Sequence, residues 1–240
     1  MQVMRTLRQK VLARIRNKPM LGHVLDVVAS AGVQKIIVVV GHQSEAVRTY
    51  LERSRKNLSI ETVEQTEALG TADAVKQAVP KLARFDGDVL ILYGDTPLLT
   101  KQTLRRLIET HRSQQNACTL LTTLVKDPAG YGRIVRNGTG SVSKIVEDLD
   151  ATPQEKEIQE VNVGAYCFDA SALFESLSEV KPVNRKGEYY LTDTVSILSK
   201  KDRRVSSVVT ENQMETLGVN SPGDLERARR ALSDDPVASD

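Results

Sequence analysis

From Pro19 onward the apolar positions switch repeatedly between a helical and a strand period. Met20, Val24, Val27 and Val28 fall on one helix face, with Pro19 placed to open the helix and Ala31-Gly32-Val33 to end it. Ile36 to Val40 is a continuous β-branched run, the pattern of a strand covered on both faces. Ser44 stands where it can cap a helix from Glu45 to Leu51, and Ser59 to Gln65 reads as the next strand. Gly70-Thr71-Ala72-Asp73-Ala74 opens a third helix, and Asp88 to Tyr93 is a second buried strand. A helix over 100–115 and a strand over 117–125 follow. This alternation with short connections predicts a doubly wound, largely parallel sheet.

The second half has a different rhythm. Short strands over 132–136 and 141–147 flank Asn137-Gly138, a hairpin signal. A longer strand over 161–168, helices over 170–177, 188–199 and 222–231, and a strand over 205–210 complete the reading. Residues 233–240 are polar and are expected to fray. With no internal repeat, the expectation is one domain. It divides into a first half at about 19–126, a second half at about 127–220 and a closing helix at about 221–232.

The first 18 residues stand apart. They hold Arg5, Arg8, Lys10, Arg14, Arg16 and Lys18 and no acidic residue, while Met4, Leu7, Val11 and Ile15 recur at helical spacing. A basic amphipathic helix is the expectation for residues 1–18. The segment contains no serine, which argues against an organelle transit peptide.

Composition narrows the field without deciding it. The 240 residues are 40% hydrophobic and 27% charged with a net charge of +2, which gives no strong attraction to nucleic acid or membranes. No apolar run approaches the roughly 20 residues of a membrane span, so a cytoplasmic protein is expected. Cys118 and Cys167 lie in apolar runs and read as buried thiols. His23, His42 and His111 show no metal-ligand spacing and read as structural or surface residues.

Candidate chemistry begins at Tyr93-Gly94-Asp95, where a buried strand ends. Ligands of open α/β sheets bind beyond the carboxyl ends of strands, and a carboxylate there can hold Mg²⁺. The same aspartate could instead cap the helix over 100–115 or close a turn with Pro97, and the residues alone leave both open. Gln65 with Leu69-Gly70-Thr71 offers N–H groups and a hydroxyl to an anion or base edge, or simply an N-cap at Thr71. Gly130-Tyr131-Gly132-Arg133 could bring backbone close to a sugar or could only turn. Glu147, Asn162 and Asn220 each border an apolar run, where they could line a pocket or satisfy loop backbone.

The order of these segments is more specific than any one of them. Lys18 to Val24 (KPMLGHV), Gln65 to Ala74 (QTEALGTADA), Leu92 to Leu98 (LYGDTPL) and Asp127 to Ile134 (DPAGYGRI) come first. Ile145 to Asp148 (IVED), Glu160 to Gly164 (EVNVG), Gly187 to Asp193 (GEYYLTD) and Gly218 to Asn220 (GVN) follow. In content and order the series resembles the bacterial N-acetylglucosamine-1-phosphate uridyltransferases, from about Lys10 to about Arg230.

The resemblance implies a Rossmann-like α/β nucleotidyltransferase fold, a largely parallel mixed sheet flanked by helices. It implies the transfer of uridylyl from UTP to N-acetylglucosamine 1-phosphate, releasing pyrophosphate, with Mg²⁺ as cofactor and a place in cell-wall precursor synthesis. Asp95 and Asn220 would hold the metal, and Lys10 would neutralise phosphate charge. Gln65, Gly70 and Thr71 would read the nucleotide, while Tyr93, Gly94, Gly132, Glu147 and Asn162 would hold the sugar. No nucleic acid, membrane or oligomeric partner is implied.

The chain also departs from the family pattern. Family members carry a buried first strand and a loop, LAAGxGTRM, ahead of the segment that matches Lys10. In this register Val3 takes the place of the loop's arginine and Gln9 that of a proline. The expectations are therefore a sheet without its first central strand and little or no uridyltransferase activity from the chain as written. A non-catalytic sugar-nucleotide binder and a transferase for another sugar 1-phosphate are the alternatives. No hexapeptide repeats follow Arg230, so the family's acetyltransferase chemistry is not expected.

Overall fold

The computed structural model describes residues 7–42, 44–54 and 59–233. A 3₁₀ turn at Leu7–Leu12 leads into a small antiparallel hairpin of β1 (Arg14–Ile15) and β2 (Lys18–Pro19). The elements α1 (Met20–Ser30), β3 (Ile36–Gly41), α2 (Glu45–Ser54), β4 (Ile60–Gln65), α3 (Thr71–Ala78), β5 (Asp88–Ile91), α4 (Lys101–Ser113) and β6 (Cys118–Leu124) follow. The chain continues through β7 (Arg133–Arg136), β8 (Val142–Val146), the short α5 (Pro153–Lys156), β9 (Glu160–Asp169) and α6 (Ala170–Glu179). It ends in α7 (Asp193–Lys200), β10 (Val205–Thr210) and α8 (Pro222–Ser233).

Besides the β1-β2 hairpin, two separate sheets carry the fold among the described residues. A six-stranded sheet runs β10-β6-β9-β7-β8, with β5 also paired to β9. In it β10 and β6 are parallel, and β9 runs antiparallel to both β6 and β5, so the sheet is mixed. The second sheet is the parallel pair β3-β4. Among the described residues β3 pairs only with β4, and β5 only with β9.

Two helices hold the sheets together. Leu21 and Leu25 of α1 pack with Val40, Val47 and Leu51 on the β3 side, while Val27 and Ala31 pack against the cluster of Leu104, Leu121 and Cys167. Ala72 of α3 belongs to the largest core cluster, with Tyr166, Phe168 and Leu173, and α3 also packs on β3 and β4.

Several expectations need correction. Residues 7–18 do not form an amphipathic helix, because a 3₁₀ turn and the hairpin replace it. Arg16 at φ 52 makes the tight turn, and Ile15 is fully buried with Met20 and Val219. Residues 1–6 lie outside the described part, and so do residues 234–240 of the expected frayed tail; Ser233 ends α8. The apolar runs of β3 and β5 are not covered on both faces, since Ile36–Val39 and Asp88–Ile91 are only half-buried.

The helix expected from Glu188 begins at Asp193, because Tyr189 spends its backbone on the loop before α3. Tyr189 N donates to Leu69 O at 2.8 Å, and Ala72 N donates to Tyr189 O at 2.8 Å. Ser44 precedes α2, but its buried hydroxyl has no hydrogen-bond partner among the described residues; its carbonyl accepts from Val47 N instead.

Cys118 and Cys167 are buried free thiols. His111 is buried against Thr119, while His23 meets the Ile15 carbonyl and exposed His42 meets Glu64. Among the described residues no helix is long and apolar enough to cross a membrane.

Candidate functional site

The site grows from an irregularity in β9. This strand pairs with β5 through Tyr166 and with β7 at Val161, and between them its register against β6 shifts. Gly164 sits in that gap at φ +83, a conformation that disfavours side chains. A Cβ there would lie 2.6 Å from the ring of Tyr93, so the missing side chain lets Tyr93 pack on the strand. The opening between the ends of β5 and β7 is a cleft of about 710 Å³.

Three sequence-distant residues meet at one end. The Lys10 ammonium donates to Asp95 Oδ2 at 2.6 Å and to Asn220 Oδ1 at 2.7 Å. The backbone adds support, because Val219 N donates to Asp95 O at 2.9 Å. Asp224 Oδ2 accepts from the N–H groups of Asn220 and Ser221 and from the Ser221 hydroxyl, which fixes Asn220 at the start of α8.

Two hard oxygens that converge on a single positive group suit Mg²⁺, which takes few protein ligands and keeps phosphates and water for the rest. Asp95 and Asn220 could hold it once Lys10 turns aside. Thr100, not Asp95, caps α4, by accepting from Thr103 N.

The floor of the cleft is a polar chain anchored on buried Tyr166. Tyr93 has Tyr166 and Thr71 as hydrogen-bond partners. Asn162 Nδ2 donates to Tyr166 Oη at 2.6 Å, and Gly164 N donates to Asn162 Oδ1 at 3.2 Å. Burial, with the nearby Glu147 charge, pushes the Tyr93 hydroxyl up to about 12, so it stays a donor at neutral pH. Burial also raises the Glu147 carboxyl, which accepts from the Thr192 hydroxyl at 2.9 Å. Partial burial, with Glu147 and Asp150 close by, raises Asp193 to about 6.

Gly132 closes this end. Its carbonyl accepts from Asn162 N at 2.8 Å, and a Cβ would lie 2.9 Å from Ile145 and 3.6 Å from Glu147.

Of the expected sugar residues, Tyr93, Gly132, Glu147 and Asn162 line the cleft, and so do Thr71, Asp95 and Asn220. Gly94 does not line it; it lies under the 3₁₀ turn, where a Cβ would be 3.3 Å from Val11. Gln65 and Gly70 do not line it either. Gln65 Nε2 donates to Gly70 O at 3.0 Å and to Asp73 Oδ2 at 2.8 Å, which ties down the loop before α3. A Cβ on Gly70, at φ +116, would fall on the Tyr189 backbone. Thr71 is not a cap, because its hydroxyl accepts from Leu191 N across the fold at 2.9 Å.

Sequence reasoning passed over Tyr166, Tyr190, Thr192 and Arg133. Arg133 is 2% exposed and binds Asp148 Oδ1 at 2.8 Å and the Tyr131 carbonyl, which pins the Gly132 turn. All but Tyr166 lie inside strings already singled out (GYGRI and GEYYLTD). The apolar run of β9 does not reveal that the Tyr166 hydroxyl reaches Asn162.

Comparison with known proteins agrees with this architecture. The nucleotidyl transferase family profile matches residues 3–215. Bifunctional protein GlmU of Pelotomaculum thermopropionicum is 45% identical over 223 residues, covering 93% of this chain and 48% of that protein. Bifunctional protein GlmU of Bacillus cereus strain AH187 is 48% identical over 219 residues, covering 91% of this chain and 47% of that protein. The chain spans about half the length of the curated relatives it matches.

A crystal structure of UDP-glucose pyrophosphorylase complexed with UDP-glucose superposes with a TM-score of 0.76 at 16% identity. It covers 93% of this chain and 90% of that one, which shows a shared fold. Matched along most of its length, the chain belongs to the nucleotidyl transferase family.

Proposed function

We propose that this chain carries the site for transfer of a uridylyl group from UTP to N-acetylglucosamine 1-phosphate, in a cytoplasmic supply of cell-wall precursor. The observation behind the reading is the convergence of Lys10, Asp95 and Asn220, from three distant parts of the chain, on one point at the mouth of the cleft. A phosphate oxygen of the sugar attacks the α-phosphorus of UTP. One P–O bond forms, the bond to the β-phosphate breaks and pyrophosphate leaves.

Such chemistry depends on positioning and charge neutralisation. Asp95 and Asn220 hold Mg²⁺, which supplies charge stabilisation at the phosphates. Lys10, released from both, neutralises a phosphate oxygen.

Residues 19–126 form the nucleotide half and 127–220 the sugar half. In the nucleotide half, Gln65 commits its amide nitrogen to the loop and so offers a base its carbonyl oxygen. Gly70 acts by letting that loop dock on residues 189–191, and Thr71 and Tyr93 close the space between the halves. In the sugar half, Glu147 accepts from sugar hydroxyls and Asn162 is oriented by Tyr166. Gly132 leaves room for the ring, and Gly94 acts beneath the site by admitting Val11.

The test is pyrophosphate release with UTP, N-acetylglucosamine 1-phosphate and MgCl₂, with UDP-N-acetylglucosamine binding measured beside it by calorimetry. Asp95→Asn is expected to lower turnover by about 100-fold or more and to remove the Mg²⁺ dependence of nucleotide binding. Binding without turnover, both in the parent chain and in a version extended by an apolar strand and a glycine-arginine loop, would make it a sugar-nucleotide binder. Turnover of a different sugar 1-phosphate in a substrate panel would move the assignment of the sugar. No Mg²⁺-dependent binding of either substrate would sink the reading.

A further inference from the structure

One wall of the cleft is built by the stretch that leads into α8, which brings Gly218, Asn220, Asp224 and Arg227 to the same opening as Asp95. Asp224 and Arg227, three residues apart, share one side of α8. We propose that Arg227 is a further phosphate-binding residue of this site, a side chain that exchanges Asp224 for a phosphate group entering the cleft. This rests on the reading that phosphates enter beside Asp95 and Asn220.

The charge balance of the cleft motivates the assignment. Among its described lining residues, Asp95, Glu147, Asp148, Glu188 and Asp224 are acidic, while only Lys186 and Arg227 are basic. Lys186 acts electrostatically on Glu147, at the sugar end. Lys10, behind the lining, is held by Asp95 and Asn220. Arg227 is therefore the cation on the wall shared with Asn220. A phosphate bound there without it would face Asp95 and Asp224 with little compensating charge.

The side chain can also make the exchange. Arg227 Nη2 lies 2.6 Å from Asp224 Oδ1, but the arginine is 64% exposed. A surface pair at i,i+3 contributes little net stability and is screened by salt. The guanidinium fork matches a phosphate in two-point geometry, and this is a stronger pairing. Asp224 does not depend on the arginine, because its other oxygen accepts from Asn220 N at 3.0 Å, Ser221 N at 2.8 Å and Ser221 Oγ at 2.8 Å. Asn220 therefore keeps its place when Arg227 departs.

The phosphate could belong to the triphosphate or to the sugar 1-phosphate. Calorimetry with MgUTP, magnesium pyrophosphate and N-acetylglucosamine 1-phosphate on the parent chain, Arg227→Lys, Arg227→Ala and Arg227→Glu distinguishes them. Arg227→Ala is expected to weaken at least one probe about tenfold, Arg227→Lys by less, and Arg227→Glu by more, as for a charge-assisted two-point contact. Loss with MgUTP and pyrophosphate places the arginine on the triphosphate, and loss with the sugar phosphate alone places it on the acceptor.

The Kd should also become less salt-dependent in Arg227→Ala, with the melting temperature unchanged, which a purely structural role would not produce. Equal affinities of the parent and Arg227→Ala for every probe would overturn the inference while leaving the site reading intact. A parent chain that binds none of the probes overturns both.

Discussion

Strand β3 (IIVVVG) is more apolar than β6 (CTLLTTL), yet it is the less covered of the two. In β6, between β10 and β9, every residue from Cys118 to Thr123 is buried. In β3, with β4 as its sole partner among the described residues, four of the six residues are half-buried, and only Val40 is buried. An apolar run declares that a strand should be covered; neighbours on both edges decide whether it is. The side of the cleft at Asn162 therefore stands on a continuous core, whereas the loop before α3 is carried by a two-stranded sheet tied in by α1 and α3.

The largest expected effect comes from pairing the edges of β3 and β5 that have no further strand partner among the described residues. A version of the chain extended at its amino end by an apolar strand and a glycine-arginine loop should pair with β3 and β5. Covering Ile36–Val39 and Val89–Ile91 should add about 5 kcal/mol, or ~10–20 °C in melting temperature. Pyrophosphate release should rise about 100-fold as backbone donors reach the phosphates. Hydrogen exchange of the β3 and β5 amides would report the pairing directly. Unchanged exchange there would show that the two edges do not await a strand.

A pair of core truncations comes next in size. Phe168→Ala, in the complete sheet, should cost about 3–5 kcal/mol. Val38→Ala, in the two-stranded sheet, should cost only about 1 kcal/mol. Urea denaturation of both variants measures the contrast. Equal losses would mean that the two sheets contribute alike and would break the comparison.

The smallest effect is electrostatic. Asp193, raised to about 6, favours its protonated form in the folded state relative to an ordinary carboxyl near 3.8. The folded chain then binds more protons than the unfolded one between these values, so stability falls as pH rises from about 4 to about 6. Asp193→Asn should remove that loss. Its unfolding free energy should gain on the parent across that window and level off above it, by about 1 kcal/mol after allowance for solvent screening. A constant difference from pH 4 to 7 would place the strain elsewhere.

Much of the sheet and helix order was legible because periodicity is a local property. The failures are local patterns overruled at a distance. The helical spacing of Leu7, Val11 and Ile15 was real, yet the chain turns at Arg16 so that Ile15 can bury beside Val219. The helix read from Glu188 starts five residues late because Tyr189 and Leu191 are held by Leu69 and by the first residues of α3, Thr71 and Ala72. In the candidate site, the ordered strings brought most lining residues to notice. Gly94, Gln65 and Gly70 are not among the residues that line the cleft, which spacing along the chain does not reveal.

By itself the sequence determined the alternation of strands and helices, the family resemblance and the identity of the polar residues that could do chemistry, all of which reside in short segments. Only the tertiary structure decided that Lys10 meets Asp95 and Asn220 across separations of 85 and 210 residues, and that Gly164 must lack a side chain because Tyr93 packs upon it. It decided also that the apolar run of β3 stays half-covered. The physical reason is common to all three, since burial and charge pairing depend on which distant segments the sheet topology sets side by side.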